Sequence, residues 1–107
     1  IGEPNGIYFG DGSGRFPRSA RFGPKTQSYA IAAGDLNGDG QTDIAVGNAR
    51  GPNAAYLGGP NGGLTRQTFG VVGAMTYGVL MVDWEGGGRS GVITANSGEL
   101  NHLYRWR

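Results

Sequence analysis

The sequence predicts an all-β protein built from short antiparallel strands, and three observations support this fold class. Twenty-three of the 107 residues are glycine, and glycines scattered among alternating apolar residues are typical of many tight turns. No window combines apolar residues at the i, i+3, i+4 and i+7 spacing of an amphipathic helix with helix-capping residues. The third observation is an internal repeat. Together they predict strands joined by tight turns and no helix.

The chain superimposes on itself at a spacing of 48 residues. Identical residue types recur in phase at positions that include Asn5/Asn53/Asn101, Tyr8/Tyr56/Tyr104, Tyr29/Tyr77, Asp35/Asp83, Gly38/Gly86, Gly40/Gly88 and Asn48/Asn96. So many identities in a short chain indicate a structural unit that occurs about two and a quarter times.

One period of the repeat reads as four short strands, at residues 28–34, 43–48, 53–57 and 65–69. An acidic loop separates the first two strands, a Gly51-Pro52 turn the next two, and a glycine-rich segment the last two. Four strands in a period near 48 residues have the size of one β-propeller blade.

The phase of the repeat divides the chain, which we interpret as a single β-propeller fragment over residues 1–107, into three parts. We expect the end of one blade at residues 1–24, a complete four-stranded antiparallel blade at 25–70, and an incomplete blade at 71–107. This division predicts nine strands in all.

The acidic stretch from Asp35 to Asp43 has the composition of a calcium-binding loop. Calcium takes six to eight oxygen ligands, so a loop that wraps it offers an oxygen at every other residue and turns sharply midway. Gly38 and Gly40 lie in the gaps and permit the turn. The predicted ligands, at loop positions 1, 3, 5, 7 and 9, are Asp35, Asn37, Asp39, Gln41 through its backbone carbonyl, and Asp43.

Two other interpretations fit this loop less well. Asp, Asn and Gly are favoured in plain turns through local hydrogen bonds alone, but alternate oxygen side chains with glycines between them are much less common there. An EF-hand requires a bidentate glutamate at position 12, where this chain has Val46, and it requires flanking helices. Calcium between two strands remains the prediction.

These residues resemble the FG-GAP/VCBS repeats of integrin-like and bacterial propellers. The resemblance rests on the Asp-x-Asn-x-Asp-Gly-x-x-Asp loop and the Ile44-Ala45-Val46-Gly47-Asn48 strand after it. Phe69-Gly70 followed by Gly73-Ala74 matches the signature that names the family, with Met75 where a proline is expected. The resemblance implies a propeller, calcium loops between the first two strands of each blade, and an extracellular binding role.

The second copy of the loop, from Asp83 to Gly91, keeps the glycines but has Gly87 and Gly91 at two ligand positions. Only Asp83 and Glu85 remain as carboxylates. We expect this degenerate loop to hold no metal, with Arg89 pairing with one of the two carboxylates in place of an ion.

Several function classes are disfavoured by the sequence. The absence of cysteine removes thiolate chemistry, and no nucleophile, phosphate-loop or zinc-protease motif accompanies the single histidine, His102. A formal charge of +1 leaves no nucleic-acid footprint, and no apolar run approaches the ~18 residues of a membrane span. We therefore expect no enzyme.

The sequence favours a calcium-stabilised binding or adhesion scaffold, extracellular or periplasmic, in which the metal is structural. Its expected partners are the remaining blades of a larger propeller, or further copies that complete a ring; of these, the larger propeller is favoured. Two alternatives remain: a lectin-like propeller that binds sugar, with Trp84 the best candidate contact, and a non-catalytic part of a larger secreted enzyme. The protein or glycan ligand is not identified.

Overall fold

The computed structural model describes residues 2–71 and 73–106, which form nine strands and a single 3₁₀ turn at Pro60–Gly62. The strands, numbered in chain order, are β1 (Glu3–Phe9), β2 (Arg18–Thr26), β3 (Ser28–Gly34), β4 (Asp43–Asn48), β5 (Asn53–Gly58), β6 (Leu64–Phe69), β7 (Met75–Val82), β8 (Gly91–Ser97) and β9 (His102–Arg105). The all-β prediction is confirmed, and the two strands that flank the acidic loop have the predicted bounds.

The nine strands form three antiparallel sheets in which each strand pairs with its neighbour in sequence. The first sheet contains β1 and β2, the second β3 to β6, and the third β7 to β9. The second sheet therefore has the four strands expected of one repeat. A register shift occurs at Ser28/Ala30 in β3 and again at Thr76/Gly78 in β7, which are positions one period apart.

Two apolar cores hold the three sheets face to face. The first core, between the first and second sheets, contains Phe22, Val46, Ala54 and Tyr56, and the Phe22 and Tyr56 rings meet edge to face. The second core lies between the second and third sheets and contains Leu36, Ala45, Ala55 and Val92. Because β4 and β5 contribute to both cores, they are buried on both faces.

The second and third sheets approach most closely along their first strands, β3 and β7, with β4 also against β7. Gly47 makes this approach possible, because a Cβ atom there would lie 2.7 Å from a methyl carbon of Val79 and 2.8 Å from one of Thr76. Tyr29 and Tyr77, on the exposed faces of the two strands, are in contact at a ring-centroid distance of 5.2 Å.

The asparagines that reveal the repeat link strands and sheets through hydrogen bonds. The Asn53 side chain accepts a bond from the Asn48 amide across the β4–β5 turn and donates to Thr76 Oγ1 on the third sheet. One period later, Asn101 accepts the corresponding bond from the Asn96 amide. The in-phase asparagines therefore stabilise the turns between strands, and Asn53 also links the second sheet to the third.

The described residues contain no helix with the length and apolar character that a membrane crossing requires.

Candidate metal centre

The loop of residues 35–43, called the first loop below, connects the end of β3 to the start of β4 in the second sheet. Gly38 and Gly40 have φ angles of 77° and 80°, a left-handed conformation that side-chain-bearing residues rarely adopt. The chain therefore reverses at these two residues and returns Asp43 to the starting point of the loop.

Asp35 organises the turn by accepting three backbone hydrogen bonds. Its Oδ1 accepts from the amides of Gly38 at 2.9 Å and Asp39 at 3.3 Å, and its Oδ2 accepts from Gly40 at 2.9 Å. These amides, with that of Gly40 the largest contributor, lower the pKa of the Asp35 carboxyl below its ordinary value. Asp35 is therefore a carboxylate at neutral pH.

Asp43 is the most deeply buried ligand candidate, with no exposed surface. Its Oδ2 accepts a 2.7 Å bond from the amide of Leu36, and its Oδ1 accepts a 2.8 Å bond from the amide of Gly58 at the end of β5. The carboxylate thus ties the start of the loop to the third strand of the sheet. A carboxylate has about four lone-pair sites, so these two bonds leave room for a cation.

The carboxylate oxygens of Asp35, Asp39 and Asp43 converge, with one oxygen of each lying within 4.8 Å of the others. Two ligands on opposite sides of one calcium ion are about 4.6–5.2 Å apart, twice the calcium–oxygen distance. The spacing therefore fits a single shared ion. Asn37 and Gln41, the other two predicted ligands, lie in the same turn, where the Gln41 amide donates to Asp39 Oδ1 at 2.9 Å.

Asn37 supplies an independent sign of a ligand. Its Oδ1 is buried and has no hydrogen-bond partner among the described residues. An unpaired buried acceptor costs about 1–3 kcal/mol, and a cation that Asn37 Oδ1 also coordinated would satisfy it. The donor set is made wholly of hard oxygens, which suits calcium rather than zinc.

Residues 83–91, the second loop, connect β7 to β8 in the same way. The Gly88 amide donates to Asp83 Oδ2 at 2.8 Å, which repeats the Gly40–Asp35 bond one period earlier. The predicted pairing of Arg89 is wrong: Glu85 pairs with Arg105 of β9 instead. Arg89 donates to the backbone carbonyl of Trp106 at 3.1 Å, and its guanidinium lies beside Gly38 of the first loop.

Trp84 follows Asp83 in the second loop, and its side chain is 61% exposed. With Trp106 and the Glu85–Arg105 pair it borders a cavity of about 310 Å³. Trp106 is anchored by a 2.9 Å bond from its indole nitrogen to Gln67 of β6. The residue one period before Trp84 is Leu36, which is fully buried in the second core.

His102 lies on β9, as the sequence predicts, and its ring packs beside Tyr104 at a centroid distance of 5.7 Å. Its Nε2 lies 4.0 Å from Glu99 and has no hydrogen-bond partner among the described residues. The residues of the first loop are on another sheet, so His102 does not join the carboxylate cluster.

The comparisons with known proteins bear on this geometry directly. The family model of the FG-GAP-like repeat matches residues 2–46. This segment is similar to an FG-GAP-like repeat. The match spans β1, β2 and β3 and includes the whole first loop, so the resemblance seen in the sequence is confirmed there. No curated protein matches the chain. No solved structure matches it either.

Sequence reasoning missed two features of the site. It treated Asp43 only as a ligand, whereas its burial and its two backbone partners make it part of the sheet framework. It also missed the contact of the second loop with the first: the Ser90 amide donates to the backbone carbonyl of Asp35 at 2.7 Å. The place of Ser90 in the second loop does not predict that contact from the sequence, because the contact depends on how the sheets stack.

Proposed function

We propose that the first loop binds calcium and that the ion is structural. The observation that carries this proposal is the convergence of three carboxylates, in a loop whose Asn37 Oδ1 is buried and has no hydrogen-bond partner among the described residues. Calcium would neutralise most of the charge of the cluster and link β3 to β4 and, through Asp43, to β5. The proposed ligands are Asp35, Asn37, Asp39, the carbonyl of Gln41, and Asp43.

Five protein oxygens leave one or two coordination positions for water or for a second carboxylate oxygen. The loop lacks a bidentate glutamate at position 12, so we expect a Kd on the order of 10⁻⁴–10⁻³ M, as in extracellular modules. An affinity in this range suits an extracellular or periplasmic setting, where the calcium concentration is high enough to fill the site.

The test is thermal unfolding of the chain in calcium and in chelator. Binding to the folded state alone adds about 2.7 kcal/mol of stability at a hundredfold excess over Kd. Asp39→Ala is expected to abolish this gain, because it removes a ligand whose carboxylate makes a single exposed backbone bond. Asp83→Ala, the matched aspartate of the second loop, is expected to keep the gain.

An unchanged melting temperature of the wild-type chain in calcium would refute the site. Loss of the calcium effect in Asp83→Ala would place the ion in the second loop instead.

At the level of the whole molecule, we infer a propeller-type binding or adhesion scaffold without catalytic activity. Three features support blades arranged around an axis: the close approach of β3 to β7, the burial of β4 and β5 on both faces, and the 48-residue period of the sheets. The expected neighbours are further blades, from a longer propeller or from other copies. The native mass of the chain in calcium and in chelator separates these two sources, since a discrete ring requires several copies.

A lectin-like function is the second candidate, and the cavity beside Trp84 and Trp106 is the observation that favours it. Leu36, one period before Trp84, is covered by the third sheet. This correspondence favours a neighbouring sheet, rather than a sugar, as what fills the cavity beside Trp84. Glycan-array binding decides between them: a sugar signal that Trp84→Ala removes would support the lectin.

A further inference from the structure

We propose that Arg89 sets the calcium affinity of the first loop from the neighbouring sheet. The inference rests on the calcium site proposed above and adds a residue that no ligand pattern identifies. Arg89 belongs to the second loop, where it replaces the residue type found one period earlier, Gln41.

The side chain of Arg89 lies against the first loop at Gly38. A Cβ atom on Gly38 would lie 3.0 Å from Nε and 3.1 Å from Nη2 of Arg89. The third guanidinium nitrogen, Nη1, is held by the carbonyl of Trp106. The guanidinium is therefore fixed in position with one edge facing the turn.

Gly38 is hydrogen-bonded to the proposed ligand Asp35, since its amide donates to Asp35 Oδ1 at 2.9 Å. The 3.0 Å distance from Nε to the Cβ position, the Cβ–Cα and Cα–N bonds of Gly38 and the 2.9 Å hydrogen bond place Nε of Arg89 at most about 9 Å from Asp35 Oδ1. No described carboxylate forms an ion pair with Arg89. Arg89 is thus a nearby positive charge that acts on the cluster through space.

The charges of the site make the consequence clear. The three carboxylates carry three negative charges, so a calcium ion leaves one excess negative charge, and the Arg89 guanidinium cancels it. A fixed cation at this distance repels an incoming cation by Coulomb's law, and salt screens the repulsion over a Debye length of about 30 Å at 0.01 M and about 3 Å at 1 M. Arg89 therefore weakens calcium binding, most strongly at low salt.

The third sheet delivers this charge, and it also holds the loop through the bond from the Ser90 amide to the Asp35 carbonyl. Through the charge of Arg89, docking of the third sheet against the second is therefore expected to lower the calcium affinity of the first loop. That affinity thus depends on the oxygen ligands of the loop and on a cationic side chain from the next repeat.

The experiment compares the complete wild-type chain with Arg89→Gln and Arg89→Lys in calcium titrations at 10 mM and 500 mM salt. Arg89→Gln is expected to bind calcium about threefold more tightly than wild type at the lower salt, with most of the difference gone at the higher salt. Arg89→Lys keeps the charge and is expected to stay near the wild-type Kd. Arg18→Gln, on an exposed position of β2, is the matched control and is expected to leave Kd unchanged.

A trivalent ion sharpens the test, because Coulomb repulsion is linear in the charge of the ion. Terbium binding, followed by its luminescence, is expected to tighten about fivefold in Arg89→Gln where calcium tightens threefold. Circular dichroism confirms that each variant is folded.

Equal Kd values for wild type and Arg89→Gln at low salt would overturn the role of Arg89 and leave the calcium site intact. Equal tightening in Arg89→Gln and Arg89→Lys would also overturn it, since the effect would then come from packing. A wild-type chain that binds neither ion would refute the calcium site and, with it, the role of Arg89.

Discussion

The first and second loops share a backbone frame and differ in chemistry. In each, the aspartate at position 1 accepts a bond from the glycine amide five residues later, at 2.9 Å in the first loop and 2.8 Å in the second. In each, the glycines at positions 4 and 6 have positive φ angles. Two of the three carboxylates of the first loop are missing from the second, because Asp39 and Asp43 at positions 5 and 9 become Gly87 and Gly91. Position 1 and the glycines therefore build the turn in both loops, while positions 5 and 9 supply two of the three negative charges of the first loop.

Within the first loop, Asp43 has two roles, and the largest predicted effect separates them. In Asp43→Ala the buried amide of Leu36 and the part-buried amide of Gly58 lose a charged acceptor, and each such bond is worth about 1.5–3 kcal/mol. We expect a loss of about 4 kcal/mol in the free energy of unfolding without calcium, measured by urea denaturation.

The matched control for this prediction is Asp39→Ala. Asp39 accepts a single exposed bond from Gln41, so its removal in chelator is expected to cost less than about 1 kcal/mol. Similar losses in the two variants without calcium would show that Asp43 is a ligand and nothing more.

Leu36 and Trp84 occupy the same position of the two loops and carry the next largest effect. Leu36 is 0% exposed and Trp84 is 61% exposed. We expect Leu36→Ala to cost about 3 kcal/mol, through lost transfer energy and a cavity in the second core. Trp84→Ala is expected to change stability by less than about 1 kcal/mol, because no described sheet covers it. Equal losses in urea denaturation would show that Trp84 is packed despite its exposure.

The same comparison shows what the sequence could predict. The bounds of β3 and β4 follow from the apolar residues on each side of the acidic loop and from the loop itself, because those signals are local. Convergence of Asp35, Asp39 and Asp43 also follows, since two glycines at fixed spacing dictate the turn. All of these features depend on residues close together in the chain.

The features that escaped prediction depend on how the sheets pack. Arg89 contacts Gly38 and Trp106 rather than Glu85, because the third sheet places the second loop beside the first. Likewise, nothing local marks Leu36 as buried and Trp84 as exposed. The 48-residue phase equates them, and only the presence of a following sheet distinguishes them.

The pKa of Asp35 leads to a smaller, pH-dependent effect. The folded-state pKa lies below its ordinary value near 3.8, so the carboxylate contributes stability above the unfolded-state pKa and loses it as pH falls through the folded-state pKa. We expect the stability of the calcium-free wild type to decline below about pH 4, and Asp35→Asn to decline less steeply over the same range. The measurement is the urea midpoint at pH 2.5 to 6.

Asn37→Ser, in the same loop but without a carboxyl, is the control and is expected to keep the wild-type dependence of stability on pH. An unchanged pH dependence in Asp35→Asn would contradict the assignment of the effect to the Asp35 carboxyl.

The smallest effect concerns the pair that replaces the expected Arg89 contact in the second loop. Glu85 and Arg105 retain 60% and 44% of their side-chain exposure, and exposed ion pairs contribute about 0–1 kcal/mol. A double-mutant cycle with Glu85→Gln and Arg105→Gln is expected to give a coupling energy in that range that shrinks at high salt, because salt screens exposed charges. The same cycle with Arg89→Gln in place of Arg105→Gln is expected to give a smaller coupling, since Arg89 is turned towards the first loop. If Glu85 couples more strongly to Arg89 than to Arg105, then Arg89 pairs with Glu85 inside the second loop. That result would contradict the proposed effect of Arg89 on calcium binding by the first loop.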